Sequence, residues 1–270
     1  MKYKGYLVRE KDELFSGSLE EIDTPSIESG RVLIKVHYSS LNYKDALAAS
    51  GAKGVVKSYP FVPGIDVAGQ IIESMSPDFS IGDKVAYGIP PLGSYSESRN
   101  YPADKLLHLP SGLDDKLVAS LLMKGMTAHY LLHRTYRVKA GDVVLVHAAA
   151  GGMGLILCQW AKALGAVVIG TVSTENKAEL VKDIGCDFPV VRSKENFVNI
   201  VKEVTNGVGC DVVYEAIGKD TLQQSLDSLK PMGMCAAYGH VSGPPDPIDV
   251  IQDLGRRGSL FITRPAIMHY

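Results

Sequence analysis

The 270-residue chain carries 28 basic and 30 acidic side chains, a formal net charge of −2 and a pI near 6.4. With no basic surplus to condense on a phosphate backbone, no nucleic acid is expected as a partner. Hydrophobic residues at 46% against 21% charged residues exclude a disordered chain, and the length suits two modest domains or one large α/β domain.

The opening run MKYKGYLVREKDE has lysines but no apolar core, so it does not read as a secretory leader. Residues 31–40 alternate Val32, Ile34 and Val36 with Leu33, Lys35 and His37, which predicts a strand. Residues 66–74 and 83–87 read the same way, set off by Pro60, Pro63, Gly64 and Gly82, and Asn42 to Ser50 suit one short helix ended by Gly51. This texture predicts a compact, mostly β domain over 1–115.

From 116 to 270 the rhythm changes. A long helical pattern, DDKLVASLLMKGMTAHYLLHRTY, leads into strands predicted at 143–147, 166–171, 187–191, 211–215, 233–239 and 258–263. Helices are predicted between them at 153–164, 176–184, 196–205, 221–229 and 247–254. Such alternation implies an α/β fold with a doubly wound parallel sheet, and six strands complete a dinucleotide-binding sheet. Residues 143–161 contain no Asp, Glu, Lys or Arg, but the cluster Gly151, Gly152 and Gly154 divides them into strand, turn and helix, so no membrane span is expected. The four cysteines, Cys158, Cys186, Cys210 and Cys235, lie more than twenty residues apart. That spacing suits buried thiols in a reducing, cytoplasmic setting.

VVLVHAAAGGMGLILCQWAKALGA (143–166) carries the most chemistry. An apolar strand enters a small-residue turn and a helix opens behind it, the arrangement that offers free N–H groups and a positive dipole end to a diphosphate. Gly151, Gly152 and Gly154 provide close approach. An enzyme selecting NAD places an acid at the end of the second strand, about 20 residues on. Here that strand ends in Thr171, Ser173 and Thr174, with Lys177 behind it, hydroxyls and a cation suited to a 2′-phosphate. Glu175 in the turn would oppose that anion and is expected to point to solvent, an ordinary solvated helix start being the alternative. Arg192, after the third strand, is placed to join them. His147 reads as a packed or hydrogen-bonded residue. His129 and His133, at i and i+4, read as ordinary helix histidines because no third ligand is evident.

The runs LGSYSE, MKGMTAHYLL, HAAAGGMG, CQWAKALGA, KEVTNGVGCDVVYEAIG, YGHVSG and GSLFITRP resemble the zinc-independent quinone oxidoreductases of the medium-chain dehydrogenase/reductase superfamily. SSLNYKDALAASG and YPFVPGIDVAG are more similar to its acryloyl-CoA reductase branch. The resemblance implies a GroES-like catalytic domain followed by a Rossmann-type domain, and NADPH as cofactor. It places Asn42, Asp45 and Lys124 as catalytic candidates, with Asp45 and Lys124 equally readable as a structural ion pair. For the cofactor it implies Asn42 near the nicotinamide ribose or amide, and Thr127 beside Lys124 facing the dinucleotide. It further implies Gly151, Gly152, Met153 and Gly154 at the diphosphate, Ser173, Lys177 and Arg192 at the 2′-phosphate, and Tyr238, Gly239, His240 and Ser242 in the fifth-strand loop.

Related alcohol dehydrogenases carry Gly-His-Glu where this chain has Gly64-Ile65-Asp66, and no cysteine cluster occurs, so no metal is expected. Without a Lewis acid, acceptors that are already electron-poor fit best. The expected function is therefore NADPH-dependent reduction of quinones or other activated enones. One alternative is an acryloyl-CoA-type thioester reductase, with Lys53 and Lys57 at a basic mouth. Another is an NADPH-binding structural or regulatory protein, as in the family's lens crystallins. Family members continue for roughly fifty residues past the Arg-Pro strand, so the catalytic domain is expected to lack its return strands, with reduced stability or a compensating contact. An apolar sixth strand at the sheet edge leads to the expectation of a homodimer.

Overall fold

The structure, a computed structural model, describes residues 2–11, 14–24, 26–51, 56 and 58–270. It divides into two compact units, Met1–Met123 and Lys124–Tyr270.

The first unit opens with an antiparallel hairpin, β1 (Lys2–Lys11) and β2 (Leu14–Asp23). Tyr6 N donates to Tyr95 O and Val8 N to Phe61 O, both at 2.8 Å, fastening the hairpin to its own unit. β3 (Arg31–Tyr38), α1 (Tyr43–Ala49), β4 (Val67–Ser74), β5 (Lys84–Tyr87), β6 (Ser98–Pro102) and β7 (Leu107–His108) follow. The five strands form an antiparallel sheet in the order β6-β3-β4-β5-β7. Val32 and Ile34 of β3 turn to a core shared with Val67, Ile71, Tyr87 and Tyr101. The Tyr87 and Tyr101 rings stack there with centroids 3.7 Å apart.

α2 (Asp115–Tyr130) runs on through one wide turn at Leu131–Thr135. Then come β8 (Val143–Val146), α3 (Gly152–Ala163), β9 (Val167–Val172), α4 (Glu175–Asp183), β10 (Phe188–Val191), α5 (Phe197–Val204), β11 (Cys210–Glu215), α6 (Leu222–Asp227), β12 (Leu229–Ala237) and β13 (Phe261–Thr263). All pairings are parallel in the order β10-β9-β8-β11-β12-β13, the doubly wound order in which the chain reverses direction across the sheet beside β8. Alternate residues of β8 feed opposite cores. Val144 and Val146 meet Leu157, Cys158 and Ala161 of α3, whereas Leu145 meets Val198 and Val201 of α5 and Leu226 of α6. The four cysteines are buried free thiols, and no helix among the described residues is long and apolar enough to cross a membrane.

Several elements depart from the sequence reading. β12 begins at Leu229, not at 233, and α6 ends at Asp227, not at 229. Two further departures have a local cause. β13 begins at Phe261 rather than Gly258, because Gly258 (φ 107°) and Ser259 (φ 57°) are both left-handed and cannot extend a strand. The helix expected over 247–254 is a single wide turn, Val250–Gly255, started by Asp249, whose Oδ1 accepts from Ile251 N and Gln252 N at 2.8 and 2.9 Å. Pro244, Pro245 and Pro247 hold the preceding chain out of helix. Leu145, fully buried at the centre of the sheet, is the test of the parallel core. Leu145→Ala is expected to lower unfolding free energy by about 2–5 kcal/mol in urea titration.

Candidate active site

The strand β8 hands its chain to α3 through residues 147–151. Ala148 adopts φ 51°, a conformation unusual for a residue with a side chain. Gly151 caps α3 and Leu155 N makes the first intrahelical bond to it, at 2.9 Å, so the amides of Gly152, Met153 and Gly154 lie ahead of the helical ladder. A Cβ on Gly154 would stand 2.5 Å from Ala149 O, and one on Gly152 would stand 3.2 Å from Lys124 Cε. The Lys124 stem thus lies against the exposed Gly152 backbone at the start of α3, with Thr127 one turn along α2. Three free amides, a helix dipole and a lysine fit a diphosphate.

β9 and β10 end side by side, Val172 opposite Val191, and Arg192 N donates to Val172 O at 3.1 Å. Ser173 and Arg192 therefore leave adjacent strands together. Lys177 Nζ donates to Ser173 Oγ at 3.1 Å, and Arg192 is exposed. Glu175, the residue that opposes a 2′-phosphate, is exposed and forms an ion pair with Lys194. Lys194 is a third cation that the sequence reading missed, since it sits outside any motif. Thr171 is not part of this group: it is fully buried and faces inward. Beside Arg192 opens a cavity of about 390 Å³, lined among others by Lys194, Asn196, Phe197, Thr221 and Gln224.

Under these turns lies a buried polar relay. Glu215, the last residue of β11, is fully buried. It accepts from Ser225 Oγ (2.5 Å), from Thr221 Oγ1 (2.9 and 3.0 Å) and from the amides of Ile217 (2.6 Å) and Gly218 (3.1 Å). Burial raises its pKa, but the His147 charge, the Ser225 hydroxyl and the two amides outweigh burial and hold it below the usual carboxylate value. His147 is also fully buried and is pushed below the usual imidazole value, chiefly by burial, with Glu215 opposing and Arg192 adding. Burial holds the ring toward its neutral form, and the two hydroxyls and two amides remain as donors to the Glu215 carboxylate when the ring is uncharged. Ser225 gives its hydrogen to Glu215, so His147 Nε2–H donates to Ser225 Oγ (2.9 Å) and Nδ1 accepts from Thr171 Oγ1 (2.9 Å).

The loops after β11 and β12 are zipped together. Gly239 N donates to Glu215 O (3.2 Å), Val241 N to Ala216 O (3.1 Å) and Ser242 N to Ile217 O (2.8 Å). The Ser242 hydroxyl donates to Ile217 O (2.8 Å) and accepts from Asp220 N (3.0 Å), so it serves the loop pairing. A Cβ on Gly239 would stand 2.7 Å from Ala216 O. Tyr238 packs on the core beneath. Arg264 donates to Ala237 O (3.0 Å) and to His240 Nδ1 (3.2 Å), which leaves the His240 Nε2–H outward. Arg264 was legible only as part of the Arg-Pro run. His129 and His133 lie beside each other and Trp160, and no group of three or more potential metal ligands occurs among the described residues.

In the first unit Asn42 and Asp45 start α1. Asp66 is fully buried and accepts from Ser40 N (2.6 Å), Ser40 Oγ (2.6 Å) and Asn42 Nδ2 (2.7 Å). The Asn42 amide is thereby held inside its own unit. Asp45 Oδ2 accepts from Asn42 N and Tyr95 Oη, both at 2.9 Å. Lys53 and Lys57 lie outside the described residues.

Residues 28–111 match the model of the alcohol dehydrogenase GroES-like domain, and residues 152–263 match that of the zinc-binding dehydrogenases. A 2-haloacrylate reductase of Burkholderia sp is 52% identical over 93% of this chain and 77% of its own length. A quinone oxidoreductase of Pseudomonas aeruginosa is 40% identical over 93% and 78%. The solved Escherichia coli quinone oxidoreductase complexed with NADPH superposes with a TM-score of 0.91 at 34% identity, over 99% of this chain and 82% of that one. The chain belongs to the medium-chain dehydrogenase/reductase superfamily, among the quinone oxidoreductases. The zinc in the name of the matching model does not fit these residues. Ile65 stands buried in the triplet Gly64-Ile65-Asp66 and offers no donor atom, while Asp66 is engaged by Ser40 and Asn42.

The relay makes stability acid-sensitive. Both pKa values are depressed on folding, so the unfolded chain binds more protons than the folded one and stability falls with falling pH. The His147 contribution is lost as pH drops below about 6.5, and that of Glu215 below about 4.5. Melting temperature measured against pH should fall in these two windows. Glu215→Ala, which orphans two hydroxyls and two amides, should cost at least about 3 kcal/mol and remove the lower one.

Proposed function

We propose that the chain is an NADPH-dependent reductase of quinones and other electron-poor alkenes. The observation that carries the cofactor is the cation and hydroxyl set at the ends of β9 and β10, with Glu175 drawn off by Lys194. Bound NADPH supplies a hydride. The glycine turn and Lys124 hold its diphosphate, Lys177, Arg192 and Ser173 hold its 2′-phosphate, and the loop 238–243 serves its nicotinamide side. Asn42 acts through the loop it fixes with Asp66 and Ser40.

The acceptor class is supported from two sides. The donor set offers no Lewis acid to polarise a ketone, and the relatives are named for a quinone and for a 2-haloacrylate. Both acceptors are electron-poor conjugated systems that take a hydride without a metal. We place the protein in the reducing cytoplasm, in keeping with its buried free thiols. The edge strand β13 exposes Phe261, and we assign that edge to a two-fold mate. Light scattering at micromolar concentration should return twice the chain mass, and a monomer would remove this assignment.

Purified protein should oxidise NADPH in the presence of 1,4-benzoquinone and of 2-chloroacrylate. Two charge-assisted phosphate contacts imply a preference over NADH of at least about a hundredfold. Lys177→Ala with Arg192→Ala should raise KM for NADPH by about that factor and leave NADH nearly unaffected. Equal use of both nucleotides by the unmutated protein would overturn the cofactor assignment.

A further inference from the structure

Lys177, Arg192, Lys194 and Glu175 stand exposed around the ends of β9 and β10, all within the second unit, and their pairing is uneven. Among the described residues Lys177 and Arg192 have no carboxylate partner, and Lys177 Nζ rests on Ser173 Oγ at 3.1 Å. Glu175 lies between Ser173 and Lys177 in sequence, yet it pairs with Lys194.

The start of α4 makes this choice of partner matter. Its first intrahelical bond runs from Ala178 N to Thr174 O (3.1 Å), and the Thr174 side chain makes no capping bond. The amides of Glu175, Asn176 and Lys177 therefore lie ahead of the helical ladder. A carboxylate on the first helical residue is drawn to that positive end, beside the Ser173 and Lys177 side chains. Lys177, two positions on, projects from another side of the helix and is not placed to hold the Glu175 carboxylate off. Lys194 is so placed, and its backbone is fixed. Lys194 N and Glu195 N both donate to Val191 O (2.8 and 3.1 Å), closing a tight turn after β10. In the same turn Arg192 N donates to Val172 O (3.1 Å). One turn thus gives its two cations different tasks: Arg192 is left free of acids beside Ser173, and Lys194 reaches across to Glu175. An exposed ion pair adds little to fold stability, so the effect of this one falls on the potential that an incoming anion meets.

Resting on the NADPH reading above, we propose that Lys194 is a specificity residue for the 2′-phosphate that acts through Glu175. It keeps the carboxylate off the start of α4 and leaves that end to the phosphate; Lys194 itself does not touch the phosphate. Once released, the Glu175 carboxylate competes with the phosphate for the same amides and cations, and like charge repels it. NADH has no phosphate to repel, and its ribose 2′-hydroxyl is a donor that a carboxylate accepts. Loss of Lys194 therefore narrows the preference for NADPH from the phosphate side alone.

The test is a double-mutant cycle read by calorimetry, with no turnover involved. The unmutated protein, Lys194→Ala, Glu175→Gln and the double variant are titrated with adenosine 2′,5′-bisphosphate and with adenosine 5′-monophosphate. Low ionic strength and about pH 8 keep the phosphate a dianion and its field unscreened. Both side chains are exposed, so all four proteins should fold. With Glu175 present, Lys194→Ala should weaken bisphosphate binding about five- to tenfold. In the Glu175→Gln background the same change should cost less than about twofold. The monophosphate should bind Lys194→Ala no more weakly than it binds the unmutated protein. Glu195 and Asp220, acids on the wall of the neighbouring cavity, are common to all four proteins and cancel. No loss with Glu175 present overturns the proposal. An equal or larger loss in the Glu175→Gln background also overturns it, because Lys194 then acts on the phosphate directly. Equal losses for both nucleotides, the mark of a structural role, overturn it too. If the unmutated protein binds the bisphosphate no more tightly than the monophosphate, the NADPH reading falls, and the proposal with it.

Discussion

The site end of the second unit depends on one buried carboxylate. Glu215 stands fully buried at the end of β11, where two hydroxyls and two backbone amides converge on it and His147 lies beside it. The donors come from two neighbouring segments. Ile217 and Gly218 begin the loop zipped to residues 239–243, Thr221 caps α6 and Ser225 lies within it, and through Ser225 the relay reaches His147, which leads into the glycine turn. Thr171, at the other end of the relay, lies two residues before Ser173. A displacement in any of these turns would strand a buried polar group. The low dielectric that makes the charge expensive thus makes the geometry of four strand ends hard to deform.

The first unit uses the same device with a different outcome. Asp66 anchors Ser40 and Asn42 as Glu215 anchors its loop, and both carboxylates are well supplied with donors. Asp45 sits one turn into α1 with only half of its oxygens supplied. Satisfaction favours rigidity. Asp45 keeps one buried oxygen without a donor, and the distinction between these acids lies in donor counts that no composition or motif records.

Legibility from sequence followed the range of the interactions. The parallel sheet, its order of elements and the glycine turn were readable because each arises from local periodicity and from backbone needs that glycine alone meets. The hairpin β1–β2 was not, because the charged Arg9, Glu20 and Glu21 interrupt its apolar pattern while pairing one strand to the other. Thr171 read as one of three hydroxyls at a strand end; only the alternation of the strand against a buried His147 turns it inward. Glu175 read as an opponent of the 2′-phosphate because Lys194, on the next loop, has no sequence signature tying it there. Tyr95 and Asp45 are fifty positions apart, and their contact exists only once Gly64 lets the chain at Tyr95 approach. A Cβ at Gly64 would stand 2.6 Å from the Tyr95 ring and 2.9 Å from its amide.

That last contact bears on why the triplet Gly64-Ile65-Asp66 differs from its metal-binding counterpart. Losing one ligand from a metal site leaves the remaining donors with desolvation and no cation to balance it. Here the replacements are mutually consistent. Ile65 is fully packed, Asp66 is saturated by the 39–42 segment, and Gly64 makes room for a tyrosine aimed at a buried acid. A metal activates a carbonyl by withdrawing charge from its oxygen. An acceptor that is already electron-poor takes a hydride without such help. The altered triplet is thus held by packing and by hydrogen bonds, where its counterpart is held by coordination.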